Sequence, residues 1–139
     1  MNKTAFQYSL FQDISMNPTY EIKRQIRMAL TGSDLSRAQV ADKMNQIAVH
    51  EGMRKTVSKE TLDSWTKRSE PDRLPSLHWM TIFCHVLDTL APIAAMLQPL
   101  GAKVIGPEDL KILTWARAER DKKRAAKRAR VAEQALEDF

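Results

Sequence analysis

A chain of 139 residues is long enough to bury one core but not two, and four glycines among abundant Leu, Ala, Met and Arg exclude a turn-rich sandwich or barrel in favour of an all-α fold. The single cysteine, Cys84, excludes an intrachain disulfide and reads as a buried thiol of a reducing compartment. No run of 18 apolar residues or secretory-type start at Met1–Gln12 is present, so the cytoplasm is expected rather than a membrane. The formal charge of +5 is uneven: Lys111 to Arg130 holds nine basic and two acidic side chains, net +7, leaving −2 for the rest, which points to a polyanionic partner through the C-terminal segment or to a solvated basic helix face.

In chain order, residues 1–16 form an N-terminal arm or short helix, with Phe6, Leu10 and Ile14 on one side. Asn17 and Pro18 supply an N-cap and a first-turn proline for the first full helix. Ile22, Ile26, Ala29 and Leu30 are its expected inner stripe, Lys23, Arg24 and Arg27 its outer face, and Gly32 its stop. A second helix opens with Ser36 and Gln39 in capping-box spacing and with Leu35 and Val40 at the staple positions. Val40, Ala41, Met44, Ile47 and Ala48 continue its inner face towards Gly52. After a basic connection, Ser58 caps a short helix that ends near Arg68, with Val57 and Leu62 as staple and Leu62 and Trp65 as its only large apolar side chains.

Pro71 and Pro75 bracket a loop, and Ser76 caps the most hydrophobic helix, carrying Leu77, Met80, Ile82, Phe83, Val86, Leu87 and Leu90 until Pro92 breaks it. A short helix from Ile93 to Leu100 closes at Gly101, and Lys103 to Ile105 is expected to be extended. The last helix starts at Pro107, with Glu108 and Asp109 at the positive end of its dipole. The domain reading is therefore a helical domain over 17–101 and a basic helix over 102–139, about five helices forming the bundle and the long helix following it.

The helix opened by Ser58 contributes little to a core, and its outer residues Lys59, Glu60, Asp63, Ser64 and Lys67 are donors and acceptors suited to base edges in a major groove. Arg68 and Arg73 beyond them suit phosphates. Arg37, at the start of the preceding helix, would direct a cation at a phosphate. The same pattern also fits an ordinary surface helix of a bundle.

The order Ser36-Arg37-Ala38-Gln39-Val40-Ala41, Val57-Ser58-Lys59-Glu60-Thr61-Leu62-Asp63-Ser64-Trp65, Leu74-Pro75-Ser76-Leu77 resembles the lambda-repressor-like (Cro and phage-repressor type) helix-turn-helix domain over roughly residues 18 to 91. The resemblance implies a small regulator from a phage or prophage, of the Mu-like group, with residues 58–68 as recognition helix. It implies base contacts by Lys59, Glu60 and Ser64, with Ser58 and Asp63 at the margin, and a phosphate contact by Arg37; Lys67, Arg68 and Arg73 are expected to contact phosphates beside it. One departure stands out: the family turn has three or four residues, whereas about ten separate Ile47 from Ser58, so either the second helix gains a turn or a loop is inserted.

In the last helix Trp115, Ala118, Lys122, Ala125, Ala129, Ala132, Leu136 and Phe139 fall at alternating three- and four-residue steps, the seam of a coiled coil through which two copies would pair. The competing use is a basic arm on DNA phosphates. His50, His78, His85 and Cys84 lack metal-ligand spacing, and no nucleophile elbow, phosphate loop or paired carboxylates occur, so no reaction is implied. Trp65, Trp79 and Trp115 are expected to be core or interface anchors. The expected partners are double-stranded DNA and a second copy, with no cofactor, metal, membrane or small-molecule ligand, and the expected place is the cytoplasmic nucleoid. The alternative is a phage-derived adaptor or inhibitor that docks its basic helix on an acidic protein.

Overall fold

The computed structural model describes residues 15–138, and their regular elements are all helical. The expectation for Phe6, Leu10 and Ile14 lies outside the described residues, as does Phe139. Six α-helices follow in order: α1 Thr19–Gly32, α2 Arg37–His50, α3 Lys59–Thr66, α4 Leu77–Leu87, α5 Ala91–Leu97 and α6 Pro107–Glu137, with a 3₁₀ turn at Gln98–Leu100. The chain divides into two compact units between Val104 and Ile105.

In the first unit the serine caps act where the residues place them, and the start of α1 shifts by one residue, with Pro18 as its N-cap. The Asn17 carboxamide oxygen accepts from the Thr19 N–H at 3.1 Å and from its hydroxyl at 2.5 Å, immediately before α1. Ser36 and Gln39 form the reciprocal box: the Gln39 N–H donates to Ser36 Oγ at 3.2 Å, and the Ser36 N–H donates to Gln39 Oε1 at 2.8 Å. Ser76 Oγ accepts from the Trp79 N–H at 3.4 Å. α1 packs against α5 and α3, α2 against α4 and α3, and α4 also meets α5. Between them lie Ile22, Ile26, Leu30, Val40, Met44, Leu62, Trp65, Met80 and Phe83, all buried, with the Trp65 and Phe83 rings edge to face at 6.3 Å between centroids.

Four expectations change. Lys23 is not on the outer face of α1: it is 1% exposed. Leu77 and Leu90, placed in the core helix by periodicity, are 71% and 49% exposed, because Leu77 opens α4 on its outer side and Leu90 lies beyond its end. Pro92 does not break α4. The helix stops at Asp88, which takes the left-handed conformation (φ 49°) that a short polar side chain tolerates, while Pro92 lies in the first turn of α5, where a missing N–H costs no bond. Asn17 is not the N-cap of α1: Pro18 holds that place and the helix begins at Thr19, so the proline precedes the first helical position.

The second unit is one uninterrupted helix. α6 begins at Pro107 with Glu108 and Asp109 in its first turn and runs 31 residues, roughly 46 Å at 1.5 Å per residue. None of its residues is buried. Trp115 and Leu136 of the expected seam are 65% and 75% exposed, so among the described residues Trp115 is a surface side chain and not a core anchor.

Candidate nucleic-acid interface

The long connection between Ile47 and Ser58 is part helix and part loop. α2 continues to His50 and ends in a Schellman closure: Gly52 takes φ 76°, the Gly52 N–H donates to the Val49 carbonyl at 3.1 Å, and the Met53 N–H to the Ala48 carbonyl at 2.8 Å. Residues 53–57 then cross to α3 without regular structure. Their end is fixed by Asn45. Its carboxamide donates to the Val57 carbonyl and accepts from the Val57 N–H, both at 2.8 Å, so the side chain pairs with the backbone as a neighbouring strand would. Val57 itself is buried, next to the N-cap of α3.

α3 is opened by a second reciprocal cap. The Thr61 N–H donates to Ser58 Oγ at 3.2 Å, and the Ser58 N–H donates to Thr61 Oγ1 at 3.3 Å. Leu62 and Trp65 are buried and hold the helix down, while Ser58, Lys59 and Glu60 are exposed. The helix itself closes at Thr66, with Lys67 as its C-cap. Lys67, Arg68 and Arg73 are exposed after it.

Two of the sequence-derived contact residues face each other. Arg37, in the first turn of α2, donates to Asp63 Oδ1 at 2.6 Å, and Lys59 Nζ lies 3.2 Å from Asp63 Oδ2. The guanidinium hydrogen bond is the main reason the Asp63 carboxyl is held below its ordinary range; the Lys59 hydrogen bond and the two charges add to it, against a smaller opposing effect of burial. The pair is a strut from α2 to α3, and Asp63 enters any interface already engaged. Ser64 is half-buried, and its hydroxyl donates to the Thr61 carbonyl at 2.7 Å. The exposed polar surface of α3 is thus concentrated on Lys59 and Glu60.

The other end of α3 is held by the buried Lys23. Its ammonium donates to the carbonyls of Ser64 at 3.0 Å, Trp65 at 3.4 Å and Arg73 at 2.7 Å. Two of these are carbonyls of the last helical turn, of which Ser64 also accepts from the N–H of the C-cap Lys67 at 3.3 Å, and a cation at that end also meets the negative pole of the helix dipole. Burial lowers the pKa of Lys23, and the nearby Glu70 carboxylate partly opposes this. The signal was present in the sequence: Lys23, Ile26 and Leu30 are spaced i, i+3, i+7, the spacing of one helix face.

Among the described residues no three His, Cys, Asp or Glu side chains come together as a metal site, and no helix is long and apolar enough to cross a membrane. Compared with protein-family models, curated proteins and solved structures, the chain matches none.

Proposed function

We propose that this protein is a sequence-specific DNA-binding regulator of phage or prophage type that places α3 in the major groove. The observation that carries this reading is the economy of α3. An eight-residue helix is held at its base by Leu62 and Trp65, at one end by Lys23 and across its middle by the Arg37–Asp63 strut, while Lys59, in a surface pair with Asp63, and Glu60 lie on its exposed side. A donor and an acceptor on a rigid support are what base-edge recognition requires. Lys67, Arg68 and Arg73 continue the surface with cations for phosphates. Two copies pairing through the α6 seam of Trp115, Ala118, Ala125, Ala129, Ala132 and Leu136 would present two such helices to half-sites one turn apart.

The test starts from a binding site selected out of random duplexes. Replacing Lys59→Ala together with Glu60→Ala is expected to weaken binding to the selected site about 10- to 100-fold and to change binding to unrelated duplex far less. Equal losses on both duplexes would reject the base-reading role.

A further inference from the structure

Beside the C-terminal end of α3 a cleft of about 270 Å³ opens against α1, lined by Tyr20, Glu21, Lys23, Arg24, Arg27, Thr66 and Arg68. Four of these side chains are basic and one is acidic. The Arg68 guanidinium lies over the Tyr20 ring, 4.7 Å from its centroid. Stacking fixes the plane of the guanidinium and leaves its N–H edge free to donate. Arg27 is exposed and makes no salt bridge among the described residues. Arg24 pairs with Glu21 at 3.0 Å, but that pair is at the surface, where water and competing anions leave such an interaction worth little. Lys23 completes the lining. Its three protons already go to the carbonyls of Ser64, Trp65 and Arg73, so it offers a fixed positive charge rather than a free donor.

We infer that this cleft is a phosphate-binding site, with Arg27 and Arg68 as the donors and Arg24 as a third that Glu21 releases to the ligand. The chemistry fits a tetrahedral oxyanion: a guanidinium stacked on the Tyr20 ring, a second exposed guanidinium, Arg27, in the same lining, and the buried Lys23 ammonium beside them. A phosphodiester of a duplex backbone and the phosphate of a small free ligand share this chemistry. The duplex backbone as source rests on the regulator reading above; the cleft itself does not.

The experiment uses the full chain and the variant Arg27→Gln with Arg68→Gln, two exposed positions outside the core, with Arg27→Gln alone as a second variant that leaves the Tyr20 stack in place. One arm measures affinity for a random-sequence duplex across a salt series; the other measures binding of inorganic phosphate and of ATP by calorimetry. If the backbone is the source, the double variant loses about tenfold in duplex affinity at low salt, its log K against log salt slope falls by one to two, and the single variant loses part of this. If a free phosphate ligand is the source, the wild type binds phosphate or ATP, both variants bind it more weakly or not at all, and Arg27→Gln alone leaves duplex affinity unchanged. A wild type that ignores duplex yet binds phosphate through Arg27 and Arg68 keeps the cleft and removes the regulator reading. Variants that match the wild type in both arms, or a wild type that binds neither probe, overturn the proposal.

Discussion

At the scale of single residues, Asp63 shows how one side chain can look like a contact residue and act as a strut. Its place on the outer side of a short polar helix is legible in the sequence; its partner is not, because Arg37 lies 26 residues earlier and only the packing of α2 on α3 brings the two to 2.6 Å. The carboxyl is held below its ordinary value of 3.8, so the sign of its contribution to stability is fixed: it is complete above pH 3.8 and lost as the pH falls through the lower folded-state value. The variant Asp63→Asn is therefore expected to be less stable than the wild type by about 1–2 kcal/mol near neutrality, with the gap closing as the pH falls through the lowered folded-state value. Urea unfolding of both proteins across that range checks this, and a gap that does not change with pH would remove the ionic strut. Lys23 was misplaced for a related reason. Charge argued for the surface, although its spacing from Ile26 and Leu30 put it on the inner face; three carbonyls, from the end of α3 and the loop after it, make the buried ammonium tolerable.

At the scale of elements, the starts of α2, α3 and α4 were legible because capping is local. Ser36, Ser58 and Ser76 each bond a backbone N–H three residues on, and the staple positions Val40, Val57 and Leu62 are buried beside two of them. Helix ends were less legible where an uncommon conformation decided them, as at Asp88, whose left-handed backbone stops α4 before Pro92 is reached. The connection between α2 and α3 depends on a contact that no local pattern announces: Asn45 holds Val57 across twelve residues. Replacing Asn45→Ala removes both bonds and leaves the half-buried Val57 N–H and carbonyl without their partner. Thermal or urea unfolding should show a loss of about 1–3 kcal/mol, accompanied by a weaker preference for a selected DNA site because α3 is no longer held at its start. Unchanged stability and preference together would show that the clamp does not position α3.

At the scale of the whole molecule, the uneven charge of the sequence corresponds to a division of the chain. The strongly basic stretch lies in α6, in the unit that begins at Ile105, and none of that helix is buried. An all-α class and a bundle followed by a long basic helix follow from composition, periodicity and the absence of Pro and Gly after Pro107. What composition cannot supply is which polar residues remain free once the helices pack. That depends on contacts such as Arg37–Asp63, which leave Lys59 and Glu60 as the principal exposed polar pair of α3. The claim on which the functional reading depends is that this pair reads base edges. The most direct measurement is enrichment of duplexes from a random pool by the full chain, repeated with the Lys59→Ala, Glu60→Ala variant. The reading requires an enriched motif, two half-sites about ten base pairs apart for a paired protein, that disappears with the variant while general retention at low salt persists. Retention without any enriched motif, or no retention at low salt, would contradict it, and the latter would turn attention to an acidic protein as the partner of the basic helix.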